Sequence, residues 1–171
     1  MKLPRHPRLF AATGLSFVLL VEASGLAAQP RRNYFDDPFV QATSELAGCP
    51  VPEGPLITLD EMRAQAHGRV DRGTTCFRSG RCRLPNAYLY DKEIVPRVRQ
   101  FIAQDERFAG TSVWVLGQRR WVYLMGCVAD AGQRDALERA VQGIDDVEAV
   151  INELMIGREE QPRYRTATSP P

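Results

Sequence analysis

The sequence predicts an α+β fold: a helix-strand-strand-helix-strand module with its helices on one face of a small mixed sheet, preceded by a loop-rich, disulfide-bonded extension. Three observations predict it. From Thr111 to Ile156, two strand patterns, an amphipathic helical run and a third strand pattern follow one another almost without linkers. A second helical pattern lies just upstream, from Asp91 to Gln104. Before that, prolines, glycines and three of the four cysteines are scattered through a stretch with little periodicity.

Residues 1–27 read as a secretory signal peptide. Lys2, Arg5 and Arg8 make a basic start, Leu9 to Val21 is apolar, and Gly25-Leu26-Ala27 offers the small side chains a signal peptidase needs. The apolar run is shorter than the roughly 20 residues that span a bilayer as a helix. No cysteine stands near the cut and no arginine pair precedes the run, so neither a lipoprotein nor twin-arginine export is indicated. The expected location is the periplasm. Removal of this segment takes three basic residues and one acid, so that 22 basic and 21 acidic side chains become 19 and 20. So even a balance gives no support to bulk electrostatic binding of nucleic acid or anionic lipid; any membrane attraction must be local. Only Lys2 and Lys92 are lysines, a bias that reads as genome composition.

Residues 28–90 form the extension. Pro50, Pro52 and Pro55 alternate with Gly48 and Gly54, and one short helix is expected after Thr58-Leu59-Asp60-Glu61, which has the form of a capping box. Met62, Ala66, Arg69 and Val70 continue it, through Gly68 at some cost in propensity. Residues 91–157 form the module. Ile94, Val95, Val98, Phe101 and Ile102 repeat at helical spacing with Asp91 as the expected N-cap, and Pro96 either kinks that helix or delays its start to near Val95. Val113 to Leu116 and Trp121 to Val128 are rich in β-branched and aromatic residues and are separated by a short polar break, which makes a hairpin. Between Gln133 and Val141, Ala136, Leu137, Ala140 and Val141 share one helical face. Val147 to Leu154 closes the sheet. Residues 158–171 are polar, end in Ser-Pro-Pro and read as a disordered tail.

Export changes the reading of Cys49, Cys76, Cys82 and Cys127: in an oxidising compartment an even set of thiols is a disulfide set. Three pairings are open. The loop from Cys76 to Cys82 is short and has a central Ser-Gly turn, so proximity favours joining its ends and leaves Cys49 for Cys127. No pair of C-x2-4-C knuckles exists to hold a metal, and no C-x-x-C exists for redox chemistry.

Side chains alternate along a strand, so Trp121, Tyr123, Met125 and Cys127 share one face, with Trp114 joining them, while Val122, Leu124, Gly126 and Val128 share the other. Helices on the valine side would leave the aromatic side open. A large open apolar face demands a partner. The extension, tethered by Cys49 to Cys127, is the favoured cover; a membrane or another protein is the competing one.

The strand Val122-Tyr-Leu124-Met-Gly126-Cys-Val128, the helix after it, and the spacing of Val147, Val150, Asn152 and Leu154 resemble the BON domain, a small module of bacterial envelopes. Gly126 is the anchor of that resemblance. The family usually has an Asn-Gly turn where this chain has Arg119-Arg120, with Gly117 offering a place to relocate it, and a glycine where this chain has Asp146, a residue type that tolerates left-handed backbone. The resemblance implies a non-enzymatic protein that contacts phospholipid surfaces or envelope proteins, often in osmotic stress protection. For such contact Trp114, Trp121 and Tyr123 have interfacial side chains, and Arg119 and Arg120 supply positive charge. The competing assignment puts the aromatics in a core and the arginines in a solvated turn. A second functional reading is a protein-interaction module of a secretion or envelope-assembly system, docking through the open face or an edge strand.

Enzymatic constellations are missing. His67 is the one histidine outside the signal segment, and the pairs Asp36-Asp37, Asp60-Glu61 and Asp145-Asp146 are adjacent carboxylates that read as caps and turns. There is no G-x-S-x-G, phosphate loop or dinucleotide fingerprint, and no cofactor is expected.

Overall fold

The computed structural model describes residues 29–167. The expected signal peptide lies outside the described residues. In chain order the elements are β1 (Phe39–Ser44), α1 (Leu59–Arg78), α2 (Asp91–Gln104), β2 (Ser112–Gln118), β3 (Trp121–Val128), α3 (Ala131–Gln142) and β4 (Ala149–Ile156), with single 3-10 turns at Ala87–Tyr90 and Glu106–Phe108. The strands form one mixed sheet in the order β1-β2-β3-β4, antiparallel except for the parallel pair β3 and β4. The α+β arrangement is the one expected, with one addition. The extension contributes its own strand, β1, which pairs with β2 across a bulge near Ala42.

One face of the sheet is covered by α2 and α3. Ile94, Val95, Val98 and Ile102 of α2 and Leu137 and Val141 of α3 pack with Val113, Val115, Val122, Leu124, Val128 and Leu154, all of them fully buried. Val147 and Val150 pack at its margin. Asp130 caps α3 by accepting the N–H of Gln133, and Asn152 reaches from β4 to the α3 backbone at Arg134. α2 begins at Asp91, ahead of Pro96, and runs through it; the preceding 3-10 turn leads straight into the helix. Asp91 is not its N-cap: that position is Tyr90, without a side-chain cap bond.

The opposite face collects Trp114, Leu116, Met125, Cys127 and Met155 into a second buried cluster, with Tyr123 at its margin. Its cover comes from both ends of the chain. Phe39, Leu46 and Cys49 lie on it from the extension and Tyr164 from the other side. The expected disordered tail is therefore corrected as far as Ala167. The Tyr164 hydroxyl donates to the Pro50 carbonyl at 2.8 Å, and Glu53 and Ala167 exchange backbone hydrogen bonds with Arg165 and Val51. A polar tail is held here because Tyr164 brings one large ring to an apolar surface that would otherwise meet water.

Both disulfides are present, Cys49 to Cys127 and Cys76 to Cys82. The first fastens the cover to β3. The expected short helix of the extension is a 20-residue one. The capping box at Thr58 and Glu61 starts it as read, but it passes both Gly68 and Gly73. Gly73 has a packing reason: a Cβ there would stand 2.3 Å from Oδ1 of Asn86, so a larger residue would displace the side chain that caps the next turn. Gly126 is equally constrained, with φ of 118° and the Ser112 carbonyl oxygen 2.0 Å from where a Cβ would be.

Because the Cys49 to Cys127 bridge joins residues 78 apart in sequence, replacing both cysteines by serine is expected to lower unfolding free energy by about 2–5 kcal/mol. Urea unfolding of the double variant beside the parent checks this. A loss under about 1 kcal/mol would show that the cover holds without its clamp.

Candidate functional site

The hairpin between β2 and β3 turns on Arg119 and Arg120 alone, because Gln118 pairs directly with Trp121. Both turn residues have positive φ, 60° and 67°, as a type I′ turn requires. The turn is not relocated to Gly117. That glycine lies inside β2, where a Cβ would come 2.6 Å from Cγ2 of Val95 on α2.

What holds two non-glycine residues in this conformation is Asp91. Its fully buried carboxylate accepts the Arg119 N–H at 2.6 Å and the Arg120 N–H at 2.7 Å. Burial pushes its pKa up to about 7, against the pull of those two amides, with the nearby Asp37 carboxylate adding to the rise.

The arginine side chains part company. Arg120 is tied into the protein: its Nε donates to the Asp146 carbonyl at 2.9 Å, its Nη1 lies 3.3 Å from the Cys82 sulfur, and its guanidinium sits 5.2 Å from the Tyr90 ring. Asp146, left-handed at φ of 70°, also receives Arg97 at 3.2 Å and Arg83 at 3.4 Å. Arg119 lies over the Trp121 ring at 4.7 Å and stays half-buried. Trp121 and Tyr123 are half-buried too, whereas Trp114 is only 8% exposed beneath the cover. Of the five residues expected to make a membrane or partner contact, Trp114 is thus packed away and Arg120 is neutralised by its neighbours. Arg119, Trp121 and Tyr123 remain at the surface.

They line a cleft of about 180 Å³ together with Gln118, Tyr88 and Arg72 of α1. A smaller depression adjoins it, sharing Arg72 and Arg119 and reaching Thr75, Cys76 and Arg81. α1 is held against the hairpin by the Arg69 guanidinium, which lies 4.1 Å from the Phe35 ring and 3.8 Å from the Tyr88 ring while pairing with the buried Asp37. Gln118 also donates to Asp37, at 2.7 Å. The pocket-lining Arg72 of α1 is not legible in the sequence, because nothing local tells that residue 72 meets residue 119. Among the described residues no group of three or more His, Cys, Asp or Glu could hold a metal ion, and no helix is long and apolar enough to cross a membrane. His67 is fully at the surface on α1, beside Asp71.

These strands, the helices on one face and the parallel closing strand agree with what the sequence patterns imply. Residues 90–158 match the BON domain. The match is a single copy, and it begins at the residue before α2 and ends two residues after β4. β1, α1 and the segment ending at Ala167 lie outside it, so the cover of the second face is an addition to the BON domain. No curated protein and no solved structure matches the chain. A BON domain suggests an association with phospholipid or envelope surfaces, and two disulfides are consistent with that setting.

The Asp91 pKa sets a pH dependence. Below about pH 4 the carboxyl is protonated in both folded and unfolded chains; as pH rises toward 7 the unfolded chain loses a proton that the fold retains, so stability falls. Between about pH 5 and pH 8 the stability advantage of the parent over Asp91→Asn is expected to shrink by roughly 2–3 kcal/mol. Chemical unfolding of both proteins across that range measures it, and an advantage that grows with pH would contradict the assignment.

Proposed function

We propose that the protein is a non-enzymatic component of the bacterial periplasm that associates with phospholipid surfaces and supports envelope integrity under stress. The observation that carries this reading is the BON match over residues 90–158. The N-terminal segment with its basic start and apolar run, and four cysteines all used in disulfides, fit an exported chain. With net charge near neutrality, attraction to a bilayer depends on a local group of basic and aromatic side chains. The flank where Arg72, Arg119, Trp121, Tyr123 and Tyr88 meet is such a group.

One observation favours a second reading, docking of an envelope protein. Among the described residues β4 ends the sheet, with no strand on its outer side. Its final turn is blunted, because Asn152 Oδ1 accepts the Leu154 N–H and Glu160 accepts the Ile156 N–H. The stretch around Val150 is left for a partner strand.

The purified, disulfide-intact protein is expected to pellet with phospholipid vesicles at low salt and less at high salt. Absence of pelleting with neutral and anionic vesicles alike, coupled with a specific protein adduct from a photo-crosslinker at position 150 in intact cells, would replace the lipid reading by the docking one.

A further inference from the structure

Between Asp71 and Asp91 the chain has four arginines, Arg72, Arg78, Arg81 and Arg83, and no acidic residue. Of these, Arg83 is paired, with Glu93 and Asp146. The side chains of Arg72 and Arg78 have no hydrogen-bond or ion-pair partner among the described residues, and the one side-chain bond of Arg81 is to the Ser79 hydroxyl. All three are exposed. The last turn of α1 and the loop after it are closed by Cys76 and Cys82, and the five residues between these cysteines, Phe77 to Arg81, are all exposed. Phe77 is 46% exposed.

The clip is tightly built. The Arg81 N–H donates to the Cys76 carbonyl at 2.9 Å, the Gly80 N–H to the Phe77 carbonyl at 3.0 Å, and Ser79 donates through its hydroxyl to Cys76 at 2.9 Å. Gly80 takes the left-handed conformation, φ of 73°, that ends the helix. Nearly half of a large aromatic side chain is therefore left exposed in a loop fixed by a disulfide and a helix cap, and the same short loop carries Arg78 and Arg81. Arg81 also lines the smaller depression, together with Arg72, Arg119 and the Glu148 carboxylate.

We propose that the Cys76 to Cys82 loop is the element that docks this protein on an anionic phospholipid bilayer, with Phe77 entering the headgroup boundary and Arg78 and Arg81 binding lipid phosphates. This rests on the lipid association proposed above and moves its contact from the hairpin tip to a loop outside the BON domain. The occupant follows from charge and shape. Exposed guanidiniums without an acidic partner in one short loop call for a negative surface, and a molecule of nearly zero net charge gains such attraction only where basic residues cluster. Phe77 is 46% exposed, so part of its ring faces outward from the loop.

The test is co-sedimentation of the disulfide-intact full protein with vesicles of phosphatidylcholine alone and with phosphatidylglycerol added. Binding is expected only where phosphatidylglycerol is present. Arg78→Gln with Arg81→Gln should weaken it by tenfold or more, at about fivefold per arginine. Phe77→Ser should weaken it without changing its salt dependence, Arg78→Lys with Arg81→Lys should restore it, and Arg99→Gln on α2 should bind as the parent does. Circular dichroism and the unfolding midpoint of each variant should match the parent, since every altered side chain is exposed. Variants at 77, 78 and 81 that bind as the parent does overturn the docking loop and leave lipid association standing. A parent that binds neutral vesicles as well overturns the anionic preference. A parent that ignores both vesicle types overturns the loop and the lipid reading together, and leaves an acidic protein face as the partner.

Discussion

The structure depends on a mismatch between one sheet and the helices available to it. Three strands of the BON domain present two apolar faces, and α2 and α3 cover one of them. The other holds Trp114, Leu116, Met125, Cys127 and Met155, whose exposure together would cost several kcal/mol at about 25 cal/mol per Å² of apolar surface. Several segments outside the BON match answer that demand. β1 widens the sheet, Phe39 and Leu46 lie on its open face, Tyr164 returns from the far end, and the Cys49 to Cys127 bridge locks the layer down. Burial of this face also decides function by exclusion: Trp114 is spent on packing and is not available to a ligand.

The hairpin tip shows the same economy in polar terms. Two arginines at positive φ are disfavoured by about 1 kcal/mol or more each. A single buried carboxylate from α2 receives both of their amides, which couples the turn to the helix layer and fixes the register of β2 against β3. The family's glycine-containing turn needs no such help. Once the backbone is fixed, the side chains are directed apart, Arg120 inward to Asp146 and Arg119 outward over Trp121.

The legible parts of the sequence were those written in short-range pattern. Alternation from Trp121 to Cys127 separated the two faces correctly, Thr58 and Glu61 announced the start of α1, and the apolar spacing of α2 and α3 placed their buried stripes. β1 was missed because Phe39-Val40-Gln41-Ala42-Thr43-Ser44 has weak alternation and contains a bulge. The order of the segment around Tyr164 was missed because its composition is polar, and a single ring docking on a distant surface has no local signature. Asp91 looked like an N-cap, since a carboxylate before an apolar helical run usually is one; its use as a hairpin anchor depends on residues 28 and 29 positions away. The basic flank was invisible for the same reason, its arginines being gathered from α1, from the loop after it and from the hairpin.

The two disulfides differ in what they can contribute. In the chain-entropy picture a bridge spanning 78 residues restricts the unfolded chain by about 4–5 kcal/mol, and one spanning 6 by roughly half that. The long bridge is therefore the stabilising one, joining the cover to a buried strand. The short bridge joins the buried Cys76 to a half-buried Cys82 that packs at the margin of the helix-side core and touches Arg120, and it dictates the path of five exposed residues. A loop that served only to connect α1 to the Ala87–Tyr90 turn would need neither a cross-link nor an outward phenylalanine. Rigidity at an exposed position lowers the ordering cost of binding, because the side chains that must meet the partner are already held together. The short bridge thus has its physical effect on presentation, and the long bridge on the fold that does the presenting.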